Sequence, residues 1–374
     1  MPVVGSEFSP PRWLSNPHAQ TLLASRAVRP PPPPTRRERL ELDDGDFLDL
    51  AHGGDALPGD APVVALFHGL AGSIDSAYAR GAIAALGARG FRTCLMHWRG
   101  CSGEPNRLRR SYHSGASDDV GRIVDTLRAR HPRSALYAAG FSLGGNALLK
   151  YLGERGERTP LAGALAVSPP LVLAVGAEQL DRGFARIYRG HLLGLMRAQH
   201  EAKRARHPEL GLPPAPPSLD TFRKFDDALT APLHGFAGVD DYYARCSARA
   251  YLGGIRRPTR ILSARDDPFF TEAILPGADE LAPDTTLELA ERGGHVGFLA
   301  AATRGRPAEG PAEGPSTDAA SAVGLPGGRS PAGARPRPPP LHRWLDGHVA
   351  GVLADMHRAR GRGARPGTPR RAPT

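Results

Sequence analysis

Three residues of the types that acyl transfer requires lie far apart along the chain: Ser142, Asp267 and His295. Ser142 stands in Gly140-Phe141-Ser142-Leu143-Gly144, a G-x-S-x-G pattern. In a chain with 45 glycines such a pattern arises easily by chance, so its position carries the weight. It falls where an apolar run, Ala135 to Ala139, gives way to an Ala/Leu-rich stretch from Leu143 to Leu152. Glycines on both sides permit a tight strand-to-helix turn that lifts the serine into an exposed, strained position. The helix N-terminus behind it favours negative charge on an alkoxide or tetrahedral oxyanion.

A serine hydroxyl is a poor nucleophile until a base takes its proton, and the base needs a carboxylate to fix its tautomer. His295, in Gly293-Gly294-His295-Val296-Gly297-Phe298, suits a loop that brings an imidazole close to another backbone. Asp267, in Ala264-Arg265-Asp266-Asp267-Pro268, suits the acid. Asp266 is its immediate rival; adjacent side chains of an extended loop point opposite ways, so only one faces the imidazole. The reading favours Asp267 and leaves Asp266 solvated or stabilising a turn. Acyl transfer also needs oxyanion donors. Phe67-His68-Gly69-Leu70-Ala71-Gly72-Ser73 offers a loop for this, with the backbone N–H groups of Leu70 and Leu143 as the two donors and His68 as a brace. The chemistry requires no metal and no organic cofactor.

These segments need a scaffold, and the hydrophobic pattern supplies one. Two short strands flank Asp43-Asp44-Gly45-Asp46, and buried strands are predicted at Pro62 to Phe67, Phe91 to Trp98, Ala135 to Ala139 and Leu161 to Val167. Helical stretches at Ser76 to Ala88, Asp118 to Arg130 and Leu143 to Leu152 alternate with them. The alternation predicts an α/β fold, a mostly parallel central sheet flanked by helices, with ligands at the C-terminal edge of the strands. From residue 169 to 254 the pattern lapses into helical, polar and Pro-rich sequence, read as a helical cap inserted after the sixth strand. Strands resume at Thr259 to Ser263 and Thr286 to Ala290, and a last helix is expected from Leu341 to about Met356. The core is thus 39–168 and 255–357. Residues 1–38 read as an N-terminal arm ending in a Pro-rich linker, 303–340 as a disordered insert, and 358–374 as a basic disordered tail.

The net charge of +10 is carried by Arg26 to Arg39, Arg304 to Arg337 and Arg358 to Arg371, which leaves the remainder near neutral. The core therefore gives no electrostatic case for nucleic acid or another polyanion. Three cysteines, Cys94, Cys101 and Cys246, cannot all pair and lack metal-ligand spacing, which points to a reducing cytoplasm. No apolar run is long enough to predict a membrane-spanning helix. The stretch Met-Pro-Val-Val-Gly-Ser-Glu does not read as a secretory signal. A soluble enzyme is expected, with peripheral membrane contact and oligomeric state left open.

Several longer stretches narrow the reading: Trp13-Leu14-Ser15-Asn16-Pro17-His18-Ala19-Gln20-Thr21, Asp44-Gly45-Asp46-Phe47, Trp98 to Asn106, Ser111-Tyr112-His113-Ser114-Gly115, Gly140 to Lys150, Thr230 to Phe236, Asp241-Tyr242-Tyr243 and Asp266-Asp267-Pro268-Phe269. By these the chain resembles the α/β-hydrolase superfamily and, within it, the YheT-type esterases, which are related to eukaryotic abhydrolase-domain lipases. The resemblance spans about residues 8 to 300. It implies an α/β-hydrolase fold, Ser142, Asp267 and His295 as the charge-relay residues, and hydrolysis of carboxylic esters, with small acyl esters or lipids as candidate substrates. The insert after Phe298 and the Arg-rich tail depart from the usual pattern. Two other readings stand beside it. His113 and Asp118 have the H-x-x-x-x-D spacing of glycerolipid acyltransferases, although the aspartate could cap a helix and the histidine brace a loop. The fold could also serve as a non-catalytic binding protein whose basic tail engages an anionic partner.

Overall fold

The structure, a computed structural model, describes residues 2–301 and 340–363. Most of the insert expected at 303–340, and the tail beyond residue 363, lie outside the described residues.

Nine strands form the main sheet: β1 (Val3–Gly5), β2 (Arg36–Glu41), β3 (Phe47–Gly53), β4 (Val63–Phe67), β5 (Arg92–Met96), β6 (Leu136–Phe141), β7 (Gly163–Val167), β8 (Thr259–Ala264) and β9 (Thr285–Ala290). Their order is β1-β9-β8-β7-β6-β4-β5-β3-β2. Every neighbouring pair from β1 to β5 is parallel, and β3 and β2 add an antiparallel edge. β4, β6 and β7 are buried along their whole length, which is why they read as continuous apolar runs: a parallel strand has helices over both faces. Successive side chains divide between those faces. Val63, Ala65 and Phe67 join a core with Val120, Ile123 and Leu127 of α3 (Ser117–Arg130) and Leu148 and Leu152 of α4 (Leu143–Arg155). Val64 and Leu66 point the other way, toward Ile83 and Leu86 of the helix α2 (Ala77–Gly87).

Helix ends follow local chemistry. α3 opens on Asp118 and Asp119 and closes on Arg128 and Arg130, matching the helix dipole. Asn16 caps α1 (Pro17–Arg26) by accepting from the N–H groups of His18 and Ala19, with Pro17 at the first helical position, where its missing N–H costs nothing. One buried cation ties the antiparallel edge to α3: Arg99 donates two bonds to Asp119 and one each to Asp46 and Asp44.

Between β7 and β8, where the sequence places a cap, the chain leaves the sheet for α5 (Leu173–Leu180), the long α6 (Ala185–Arg206), short helices α7 (Phe222–Phe225) and α8 (Ala231–Leu233), and α9 (Val239–Cys246). This excursion follows the seventh strand rather than the sixth, because Val3–Gly5 pairs in parallel with β9. The N-terminal segment read as an arm is therefore part of the fold, and β2 begins at Arg36, ahead of the boundary at 39. A three-residue strand is too short to show a period of two. At the other end, Leu341 starts no helix. Leu341–Arg343 is a strand, β11, antiparallel to β10 (Leu299–Ala301), and α10 runs from Trp344 to Gly363, past the expected end near Met356 and into the stretch read as tail. Among the described residues, no helix is long and apolar enough to cross a membrane.

Candidate active site

Ser142 stands between β6 and α4 with φ 51° and ψ −120°, a conformation that a residue with a side chain rarely adopts. The flanking glycines are required by space. A Cβ on Gly140 would meet the Gly144 carbonyl oxygen at 2.4 Å, and one on Gly144 would meet the Phe67 carbonyl oxygen at 2.3 Å. The elbow thus presses directly on the end of β4, where the loop from His68 to Ser73 starts.

The hydroxyl of Ser142 lies 2.9 Å from His295 Nε2, and His295 Nδ1 lies 2.8 Å from Asp267 Oδ2. A carboxylate accepts only, so Nδ1 carries the proton and Nε2 is free to take one from the serine. The second Asp267 oxygen accepts the Phe269 N–H at 2.9 Å, which leaves the carboxylate fixed at both ends. Phe269 also stacks on the imidazole, with ring centroids 3.9 Å apart and planes 6° from parallel, and Phe270 meets its edge at 5.4 Å. The loop after β8 therefore supplies both Asp267 and the aromatic wall that holds the histidine plane. Asp266 turns away from the imidazole: its Oδ1 accepts the Gly294 N–H at 3.0 Å, and burial pushes its carboxyl above the ordinary range. It secures the loop that carries the histidine, a turn-stabilising part.

That loop is also held from the N-terminal segment. The His295 N–H donates to Thr21 Oγ1 of α1 at 2.9 Å, and Thr21 donates onward to the Pro17 carbonyl at 2.8 Å. Gln20, fully buried, accepts the Leu299 N–H and donates to the carbonyls of Leu14 and Leu299. Gly294 has φ +61°, and a Cβ there would lie 2.6 Å from the Pro17 carbonyl oxygen. The glycine allows both the left-handed turn and the close approach of α1.

The loop from His68 to Ser73 is pinned on each side of Leu70. The Gly69 N–H donates to the Tyr78 hydroxyl at 2.8 Å, and the Ala71 N–H donates to the Tyr112 hydroxyl at 2.9 Å. The N–H groups of Leu70 and Leu143 have no protein acceptor among the described residues, and both residues line the same cavity as Ser142 and His295. His68 is buried under the loop. It donates from Nδ1 to the Gly69 carbonyl at 2.8 Å and accepts the Trp98 N–H at Nε2, and burial pushes its pKa down to about 3. A neutral imidazole with both nitrogens engaged is a brace.

His113 and Asp118 lie outside this cavity, in a separate polar recess. Asp118 pairs with Arg110 at 2.7 Å, and His113 Nδ1 accepts the Gly115 N–H at 3.2 Å. Neither residue reaches Ser142. The three cysteines are buried and unpaired. Among the described residues, no cluster of three His, Cys, Asp or Glu side chains is arranged to hold a metal ion.

The cavity above Ser142 measures about 590 Å³. Its far walls come from the helices between β7 and β8, including Leu173, Tyr188, Leu195, Phe222 and Leu229. Sequence reasoning missed Thr21, Tyr78, Tyr112 and Phe269 as parts of the site. Thr21, Tyr112 and Phe269 fall inside stretches that carry the family resemblance, but nothing in their type announces what they hold.

A strained serine at a strand-to-helix turn, a histidine following the last parallel strand and an aspartate after the strand before it define a class of hydrolase built on a mostly parallel sheet. The profile of the alpha/beta hydrolase fold matches residues 62–302, and the chain belongs to that family. It is 40% identical over 299 residues to "Putative esterase YheT" of Escherichia coli, an alignment covering 79% of this chain and 87% of that one. It is 29% identical over 308 residues to "Phospholipase ABHD3" of Mus musculus, covering 80% and 74% of the two chains. It is also 29% identical over 246 residues to "Monoacylglycerol lipase" of Saccharomyces cerevisiae, covering 64% and 55%. The family and the names of these relatives support ester hydrolysis in general terms.

Proposed function

We propose that this protein is a serine hydrolase of carboxylic esters, with an acyl ester or lipid-like molecule as substrate and an acyl-enzyme on Ser142 as intermediate. The observation that carries the reading is the relay from Ser142 Oγ through His295 to Asp267, two bonds of 2.9 and 2.8 Å, in a cavity also lined by Leu70 and Leu143, whose N–H groups have no protein acceptor among the described residues.

In the first half-reaction His295 Nε2 takes the serine proton as Oγ attacks the ester carbonyl. Asp267 stabilises the imidazolium, and the N–H groups of Leu70 and Leu143 receive the oxyanion. The imidazolium then protonates the departing alkoxide, leaving the acyl group on Ser142. In the second half-reaction water is deprotonated by the same nitrogen and attacks the acyl-enzyme, releasing the carboxylic acid. The helices between β7 and β8 act as a cap whose apolar walls receive the acyl chain. The size and lining of the cavity favour a chain of several methylenes over acetate.

The test is a panel of p-nitrophenyl esters of rising acyl length, together with a fluorophosphonate probe. Wild type should label on Ser142 and prefer esters longer than acetate. Ser142→Ala should lose hydrolysis and labelling while keeping its melting temperature. Full labelling of the alanine variant would remove Ser142 from the mechanism, and a strict preference for acetate would remove the acyl-chain assignment.

A further inference from the structure

The outward face of α6 is unlike that of a helix that meets only water. A period of 3.6 residues brings every third or fourth position to one side. On that side, between Arg186 and Arg204, the exposed residues are Ile187, His191, Leu195, two glycines and two alanines. A surface helix ordinarily turns its charges outward here. Phe184, just before α6, and Trp13, in the turn leading to α1, are exposed as well. With Ile187 and Leu195 they make up the large hydrophobics that are more than a third open among the described residues. The two segments touch, since the His18 ring of α1 packs at a tilt against Phe184, with centroids 4.4 Å apart.

Cations predominate around this face, and the acids just ahead of α6, Glu178 and Asp181, pair with Arg182 and Arg189. Exposed cations stand at the ends of α6, Arg186 at one and Arg204 and Arg206 at the other. Glu201, the one acid on the helix, is turned into bonds with the Ala215 N–H and with Arg204. Arg26 and Arg29 of the N-terminal segment are exposed too, and neither pairs with a carboxylate among the described residues. Ile187, His191 and Leu195 are both exposed and part of the cavity wall, so this face surrounds the mouth of the passage to Ser142.

We infer that this face, α6 with Phe184 and Trp13, docks on an anionic lipid surface. The apolar stripe enters the headgroup boundary, and the flanking arginines meet the acidic headgroups. Charge complementarity favours this occupant. So does the position of the mouth: a protein partner seated there would seal the passage, whereas a bilayer can supply acyl chains through it and take products back. The inference concerns binding and stands apart from the ester chemistry, so it is read by a measurement that needs no turnover.

The experiment is sedimentation of the full chain, carrying Ser142→Ala, with vesicles of phosphatidylcholine containing phosphatidylglycerol and with vesicles of phosphatidylcholine alone. The protein should bind the first and release as salt is raised, with binding to the second about tenfold weaker or less. Ala198→Glu places a carboxylate in the middle of the stripe, and Arg186→Glu reverses a flanking charge; both are exposed helical positions away from the cavity wall. Ala198→Glu should weaken binding about fivefold and Arg186→Glu about 25-fold, since one charge near an acidic lipid surface is worth about a factor of five and reversal doubles it in free energy. In the background with Ser142 intact, hydrolysis of a soluble short-chain ester should be unchanged by either. No binding by the full chain, or binding that survives both substitutions, overturns the assignment. A dimer in light scattering that Ala198→Glu converts to monomer also overturns it, by making the face a contact between copies of this chain.

Discussion

Thr21→Val tests whether the N-terminal helix holds the proposed catalytic histidine in place. The substitution keeps the shape of a buried side chain and removes the acceptor of the His295 N–H, now 2.9 Å from Thr21 Oγ1. A buried N–H left without a partner costs about 1–3 kcal/mol. If the loop stays, that cost falls on stability. If the loop shifts to find another acceptor, His295 leaves its 2.9 Å contact with Ser142 and the cost appears in the rate. At about 1.4 kcal/mol per tenfold, kcat should fall by about 5- to 100-fold. Thr21→Ser keeps the hydroxyl and should stay close to wild type. The assay is steady-state hydrolysis of a p-nitrophenyl ester, with the rate of fluorophosphonate labelling and the melting temperature measured alongside. If Thr21→Val keeps both rates and its melting temperature, the N-terminal helix does not secure the histidine loop and the reasoning fails.

Tyr112→Phe leaves the Ala71 N–H without its acceptor at 2.9 Å and loosens the loop that presents Leu70. Since losing a whole oxyanion donor costs about 100- to 1,000-fold in kcat, loosening one should cost about tenfold. The loss should be the same for every acyl length in an ester panel; a loss that grows with chain length would make Tyr112 a substrate contact instead. Acid stability should follow the buried histidines. Burial pushes His68 and His113 down to about 3, against an ordinary 6.5, so the unfolded chain takes up their protons first. Their contribution is fully present above about pH 6.5 and is lost as pH falls toward 3, at about 1.4 kcal/mol per unit for each. His113→Asn retains an acceptor for the Gly115 N–H and should flatten urea-unfolding stability against pH by about that slope. An unchanged slope would mean that His113 already carries a proton in the folded protein.

Much of the scaffold was legible because its signals are local. β4, β6 and β7 are unbroken apolar runs, and the residues of the elbow, the acid loop and the histidine loop each follow a strand. Asp267 could be preferred to Asp266 only by alternation, and its bond to His295 and the bond of Asp266 to Gly294 follow that alternation. What stayed hidden depends on contacts between distant segments. Val3–Gly5 becomes a strand only because β9 offers it an edge, and Thr21 matters only because α1 reaches a loop some 270 residues later. Tyr78 and Tyr112 act through hydroxyl groups that a hydropathy pattern counts as ordinary aromatic mass. The face of α6 was hidden for another reason: which of its residues stay exposed depends on how the cap packs over the cavity.

The clamp of α1 on the histidine loop also sets an order of events during synthesis. The ribosome makes Thr21 and Ser142 long before His295, and a chain grown only as far as β8 carries Ser142 without the imidazole that meets it. The strand at Val3–Gly5 must likewise wait for Leu287 to Leu289 before it has an edge to join. Val3–Gly5 and Thr21 thus emerge well before the elements they dock on, and the step that seats them fixes the loop of His295. On the mechanism proposed above, activity would then arise at one late moment of assembly, and an unfinished chain would stay inert.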